Sequence, residues 1–300
     1  RMSDKPISAI CIGECMVELR PVADGHLKRG FAGDAYNTAV YLKRSAPEID
    51  VAFLTATGDE SLSDAMVETW RAAGISDRLV FRIPGERPAL YLIETNARGD
   101  RKFHYWRSET PAKEWLRLLM ARGGAQVLDQ ANLVYVSGIS LAILSHADRL
   151  AAVQLLGSLK TKVAFDPNIR PALWKSMDEA RHVFEAMVKI AAIVLPSRQD
   201  YQLMYGMDDP QAQIEFTAML TKGEIALTCD EDGVRLRMGE TVVPLPTQAV
   251  TVVDTSGAGD SFNGAYLAAR LRGQSPLDAA KAGLAMAARV VAQPGAIIPA

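Results

Sequence analysis

Near the end of the chain, Val253-Asp254-Thr255-Ser256-Gly257-Ala258-Gly259-Asp260-Ser261-Phe262-Asn263-Gly264 places one acid beside a run of very small residues. Gly257, Ala258 and Gly259 allow the backbone to approach a ligand closely, and the free N–H groups of a helix's first turn attract anionic oxygens. Asp260 then stands where an incoming hydroxyl could give up its proton. Phosphoryl transfer needs mainly positioning and charge stabilisation, so an anion-binding helix end next to a carboxylate is close to its minimum equipment. A tight turn with Asp260 as a simple N-cap explains the same tetrapeptide equally well in isolation. Context favours the first explanation. The β-branched run at 250–253 predicts a buried strand entering the turn, and Phe262, Ala265, Tyr266 and Ala269 recur at helical spacing after it. Neither a Walker A lysine motif nor a dinucleotide glycine fingerprint occurs.

A second small-residue turn opens another predicted helix at Gly33-Asp34-Ala35-Tyr36-Asn37, with polar groups able to bind sugar hydroxyls. The elements that must hold these turns follow from hydrophobic pattern. Apolar, β-rich segments at 7–12, 51–56, 133–136, 163–165, 190–195 and 225–228 predict strands. Helical periodicity falls at 36–44, 61–73, 147–159, 178–189, 211–220, 260–271 and 276–292. Strands alternating with helices predict an α/β protein with a mainly parallel sheet. Segments 14–31 and 88–107 break the alternation and read as hairpin material around a polar turn at 95–100, a small β-flap over the carboxyl edge of the sheet. No internal repeat or linker divides residues 1–300, so one domain with a discontinuous lid is expected.

Composition narrows the function classes. With 300 residues, 49% hydrophobic, the chain can bury a large core, and a formal charge of −2 with a pI near 6.2 carries no signature for nucleic acid or anionic membrane. Cys11, Cys15 and Cys229 lack paired spacing, which argues against a disulfide framework or structural zinc and fits a reducing cytoplasm. The start of the chain shows no signal-peptide pattern, and charge interrupts every apolar run before membrane-spanning length. His26, His104, His146 and His182 have no metal-ligand spacing.

On the motifs at 33–37 and 254–264 the chain resembles the ribokinase-like, phosphofructokinase-B type carbohydrate kinases, over nearly its whole length. Within that family it is most similar to the 2-keto-3-deoxygluconate kinases. The segments carrying that closer match are Gly13-Glu14-Cys15-Met16-Val17-Glu18-Leu19, Lys28-Arg29-Gly30-Phe31, Tyr105-Trp106-Arg107, Val136-Ser137-Gly138-Ile139-Ser140-Leu141-Ala142-Ile143-Leu144 and Phe165-Asp166-Pro167-Asn168-Ile169-Arg170-Pro171. The resemblance implies a three-layer α/β/α fold with a β-strand lid. It also implies ATP-dependent phosphorylation of a sugar acid at its C6 hydroxyl, giving 2-keto-3-deoxy-6-phosphogluconate. It assigns Asp260 as catalytic base, with Gly257, Ala258 and Gly259 around the phosphoryl group. Gly33, Asp34, Asn37, Tyr91, Tyr105, Arg107 and Arg170 become substrate contacts, the two arginines suited to a carboxylate. Taken without the family, Tyr91 and Tyr105 read as cross-strand packing and Arg107 as a solvated side chain.

For ATP, the resemblance points to Asn168, Thr228, Asp230 and Gly233 together with Gly257 and Gly259. The acidic Asp230-Glu231-Asp232 run is unusual there and is expected to face outward or toward the ribose. Magnesium is expected because nucleotide phosphates need neutralising. Where relatives carry Asn-x-x-Glu, this chain has Ser197-Arg198-Gln199-Asp200, leaving Asp200 as the metal candidate or a surface carboxylate. Asp254 is the position to inspect for a monovalent cation. Asp260, at a helix N-terminus, is expected to be ionised at neutral pH and therefore a weak base. Two rival functions remain: a kinase for fructose, ribose or a related keto-aldonate, and a silent ligand-binding module. A homo-oligomer is the family's common assembly.

Overall fold

The computed structural model describes residues 6–95 and 101–300, so the polar turn expected at 95–100 lies outside it apart from Thr95, which ends a strand. Thirteen strands occur among the described residues: β1 (Ser8–Ile12), β2 (Met16–Pro21), β3 (Leu27–Ala32), β4 (Asp50–Thr57), β5 (Val80–Arg82), β6 (Leu90–Thr95), β7 (Arg101–Trp106), β8 (Leu133–Ser137), β9 (Lys162–Asp166), β10 (Ile193–Val194), β11 (Glu224–Thr228), β12 (Val234–Met238) and β13 (Thr241–Leu245). Nine of them form one sheet in the order β13-β12-β11-β10-β9-β8-β1-β4-β5. From β11 to β5 all neighbours are parallel, and β12 and β13 add an antiparallel hairpin at one edge.

Side-chain alternation explains the layers. In β1, Ile10 and Ile12 enter one core while Ala9 and Cys11 enter the other; in β8, Val134 and Val136 divide from Leu133 and Tyr135 in the same way. Both faces are therefore covered by helices. The first core gathers Trp115, Phe165, Phe184 and Tyr201, and the second gathers Tyr36, Phe53, Trp70 and Phe262. Phe53 and Trp70 meet edge to face with centroids 5.2 Å apart, a geometry that ring quadrupoles favour.

Chain order reverses beside β1, which runs outward through β4 and β5 on one side while β8 to β11 run outward on the other. Such a switch point opens a crevice at the carboxyl ends of its strands. The remaining strands roof it as a second sheet, β3-β2-β6-β7, with β2 and β6 parallel and the outer pairs antiparallel. Met16, Ala32, Ala89, Tyr91 and Ile93 form a small apolar cluster under this roof.

Two expectations need correction. Residues 250–253 form no strand: Val250, Val252 and Val253 are 39%, 59% and 56% exposed, and the backbone N–H groups of Val253 and Asp254 both donate to Val291 O, at 2.7 and 3.1 Å. A β-branched run becomes a strand only where a neighbouring strand accepts its ladder, and here a helix end takes the bonds. The segment at 190–195 is a strand only over Ile193–Val194, because Ile190 completes the preceding helix Met177–Ile190. Helices Trp115–Arg122, Gly138–Ala142 and Arg198–Tyr205, and the β12–β13 hairpin, add to the predicted elements.

Candidate active site

Helix Asp34–Ser45 starts just beyond β3, and helix Ala258–Leu271 crosses it closely because Gly264 has no side chain. A Cβ on Gly264 would stand 2.7 Å from both Leu42 N and Thr38 O. This close crossing brings the two small-residue turns together: Asn37 Nδ2 donates to Asp260 Oδ2 at 2.8 Å. Asp34 accepts from Ala35 N and from Asn168 Nδ2, each at 2.8 Å, which ties in the loop after β9. Gly33 packs on Glu14, where a Cβ would meet the carbonyl oxygen at 2.1 Å.

A cavity of about 1730 Å³ lies between this floor and the smaller sheet, lined by Gly33, Asp34, Asn37, Tyr91, Tyr105, Arg107, Asn168, Arg170 and Asp260 among others. All the residues expected to touch substrate thus face one space. Gly257 adopts φ 74° and caps the helix without a side-chain hydrogen bond; Ala258 N donates to Thr255 O at 3.2 Å, and Gly257, Ala258 and Gly259 lie beside Ser256 and Asp260 without themselves lining the cavity. A side chain at 257 would strike Ala296 O at 2.4 Å, whereas at Gly259 nothing lies within 4 Å.

Asp260 differs from expectation in its charge. Burial and the neighbouring Asp34 carboxylate push its carboxyl up to about 7, outweighing the Asn37 hydrogen bond and the Arg170 guanidinium. Removal from water penalises the charged form more than an uncapped helix end favours it. A carboxyl raised toward neutrality lies in the range in which it is an effective general base.

Beneath it lies a second layer of acids. Asp166 accepts from Tyr135 Oη at 3.2 Å, Asn263 Nδ2 at 3.0 Å and Asn168 N at 3.1 Å. Asp200 accepts from Ile169 N, Ser197 N and Ser197 Oγ, each at 2.8 Å, completing a capping box at the start of helix Arg198–Tyr205. Burial raises both carboxyls, Asp166 well above the usual range. Their oxygens accept from protein donors, and Asp200, at 2% exposed, is not the surface carboxylate that was the alternative to a metal role. Among the described residues no cluster of three or more His, Cys, Asp or Glu could cage a metal.

The cations divide into paired and free. Arg107 Nη2 donates to the buried Glu14 carboxylate, and its guanidinium lies 5.5 Å from the Tyr105 ring centroid. Burial pushes the Glu14 carboxyl up against the pull of Arg107 and of the Thr110 hydroxyl. Arg107 Nε and Glu14 Oε1 are both buried without hydrogen-bond partners among the described residues. Arg170 donates to the adjacent Ile169 O, at 3.2 Å, and among the described residues no carboxylate pairs with it. Tyr91 donates its hydroxyl to Glu18 and contacts Tyr105, ring centroids 5.8 Å apart. Sequence reasoning missed Arg101, whose Nη1 donates to Asp254 Oδ1 at 2.6 Å and to Ser256 Oγ at 2.9 Å. Nothing local announces that contact. Glu14 and Asp166 lay within the quoted family segments without an assigned role.

The nucleotide candidates are more dispersed. Asn168, at φ 36°, faces Asp34 and the cavity, while Thr228 ends β11 and Asp230 and Gly233 follow it with φ of 48° and 79°. These last three do not line the cavity with Asp260. Asp230, Glu231 and Asp232 are exposed, and Asp232 pairs with Arg198 at 3.3 Å. Asp254 carries the Arg101 guanidinium.

Residues 7–300 match the pfkB family carbohydrate kinase profile. Over 297 residues the chain is 38% identical to a 2-dehydro-3-deoxygluconokinase of Dickeya dadantii (strain 3937) and 37% identical to one of Escherichia coli (strain K12), covering 96% of each partner in both pairs. In three dimensions it superimposes on a PfkB protein from Polaromonas sp. JS666 with a TM-score of 0.83 at 21% identity, covering 96% of both chains. It superimposes on aminoimidazole riboside kinase from Salmonella enterica with a TM-score of 0.81 at 20% identity, covering 96% of this chain and 94% of the other. Sequence match, fold and the paired turns around Asp260 agree: the chain belongs to the pfkB family of carbohydrate kinases.

Proposed function

We propose that the protein is an ATP-dependent 2-keto-3-deoxygluconate kinase, acting on the acid also named 2-dehydro-3-deoxygluconate. The observation that carries this is one cavity lined by both Asp260, which accepts from Asn37 on one oxygen, and Arg170, a cation that pairs with no carboxylate among the described residues. A sugar acid supplies what each lacks, a hydroxyl for the acid and a carboxylate for the guanidinium. The near-full-length likeness to 2-dehydro-3-deoxygluconokinases supports the same substrate.

Asn37 holds the Asp260 carboxyl in place, and Asp34, fixed by Asn168, offers an acceptor for the sugar's other hydroxyls. The C6 oxygen bonds to the γ-phosphorus as the bond to ADP breaks, and the hydroxyl proton passes to Asp260. The turn at 257–259 receives the phosphoryl oxygens, and magnesium bound with the nucleotide would neutralise charge on the phosphates. The smaller sheet excludes water from the transfer. Buried free thiols at Cys11, Cys15 and Cys229 suit a reducing cytoplasm. No helix among the described residues is long and apolar enough to cross a membrane.

The deciding experiment measures ADP release with 2-keto-3-deoxygluconate, fructose and ribose in parallel. The acid is expected to give the highest kcat/KM. Preference for a neutral sugar would overturn the substrate, and no turnover on any of them would leave a binding module.

A further inference from the structure

Arg101 opens β7 on the smaller sheet, yet its guanidinium ends on the segment that leads into the phosphoryl turn. Its acceptor, Asp254, has a side chain only 2% exposed. Asp254 Oδ1 also accepts from Ser256 N at 2.9 Å, and Oδ2 accepts from Gly295 N at 2.6 Å. One carboxylate therefore fixes the approach to Gly257 and clamps it to the 294–296 loop on which Gly257 packs. Burial opposes ionisation of Asp254, but Arg101 and these two N–H groups hold its carboxyl down at about 2. A buried carboxylate deprived of its cation is strongly unfavourable, so the shape of this loop depends on the guanidinium being present.

We propose that Arg101 is a positioning residue for phosphoryl transfer, bringing the turn at 257–259 into working shape only while the smaller sheet covers the cleft. The inference rests on the kinase function proposed above. It follows from which parts the ion pair joins. Arg101 belongs to the cover and Asp254 to the base, so the contact forms when the two meet and breaks when they part. A turn assembled only under the cover would bind the phosphoryl group when water is excluded and lose that geometry when water can enter. Arg101 Nε and Nη2 make no hydrogen bond within the described residues, and the residue lines the cavity that holds Asp260.

The test compares Arg101→Ala and Arg101→Lys with wild type, and combines Arg101→Ala with Asp254→Asn. Arg101→Ala is expected to lower kcat about 10–100-fold, the scale of a positioning error near the chemistry, with KM for the sugar acid changed far less. ADP release should then exceed phosphorylated product, and Arg101→Lys should recover most of both losses. In the double variant the second substitution should add little, because both remove the same contact. Independent of turnover, amide hydrogen exchange at 255–261 should quicken in Arg101→Ala and not in Arg101→Lys. Unchanged exchange at 255–261 in Arg101→Ala, product and ADP remaining equal at wild-type kcat, or additive losses in the double variant would each overturn the role. A wild-type chain inactive on sugar acids would overturn the proposed function instead, and the exchange experiment would still decide whether Arg101 shapes the turn.

Discussion

Two pairs of aspartates meet below the cavity, and they behave differently. Asp166 and Asp200 are 7% and 2% exposed, and every carboxylate oxygen already accepts at least one protein hydrogen bond. Asp34 and Asp260 line the open space, and among the described residues Asp260 accepts only from Asn37, on one oxygen. All four lie close enough for Asp34, Asp200 and Asp260 to raise the Asp166 carboxyl electrostatically. The difference separates acids turned onto the protein frame from the acid that faces the cavity with an oxygen to spare. Asp166 and Asp200 each give both oxygens to protein donors, whereas Asp260 keeps an oxygen for a ligand.

The strongest challenge to this division is Asp260→Asn, expected to lower turnover by about two to four decades while leaving substrate binding largely intact. Near-normal turnover would dissolve the distinction. The same variant tests the raised carboxyl. Between the ordinary carboxylate value of about 4 and the native value of about 7 the folded chain keeps a proton that the unfolded chain has lost. Stability should therefore fall as pH rises through that window and level off above it, and Asp260→Asn should remove that slope from Tm measured against pH. Wild-type kcat/KM should climb through pH about 7 as the base ionises.

Arg107→Ala combined with Glu14→Ala, so that no buried charge is stranded, should reduce kcat/KM for the sugar acid about 10–100-fold more than for a neutral sugar, the worth of one charged hydrogen-bonding pair. Equal losses would leave the acid to Arg170 alone. Asp200→Ala should cost stability, about 1–3 kcal/mol for orphaned donors at Ile169 and Ser197, with kcat at low temperature within tenfold of wild type. Chemical denaturation measures the first and steady-state assay the second. A large kcat loss at unchanged stability would move Asp200 into the working pair. Smallest of all, Val252→Ser should change stability by no more than about 0.5 kcal/mol, as at an exposed site. A loss near 2 kcal/mol would mean the side chain is buried as a strand residue.

The sheet was legible because parallel strands covered on both faces read as unbroken apolar runs, as in β1, β4 and β8. The cover was legible through alternation in β6 and β7. The turns at 33–37 and 257–260 stood out because close backbone approach needs small residues, an unusual local demand. Other features left no such trace. Helix Gly138–Ala142 is buried on all sides and has no amphipathic period to read. The run at 250–253 has strand composition without a strand partner. The Asp260 carboxyl depends on Asp34, a neighbour that only the folded chain supplies, and the same holds for Arg101 meeting Asp254. Local pattern reports what a segment prefers; charge state and long-range ion pairs report which segments meet.

The roof over the cleft comes from two stretches of chain far apart in sequence, and β2 is joined to β6 by parallel hydrogen bonds between them. Anyone recombining this kinase with a relative to alter substrate range would have to exchange both stretches at once. A crossover placed between them would pair one parent's β2 with the other parent's β6, so the sheet's register, and with it the placement of Tyr91 over Glu18, would be inherited from neither.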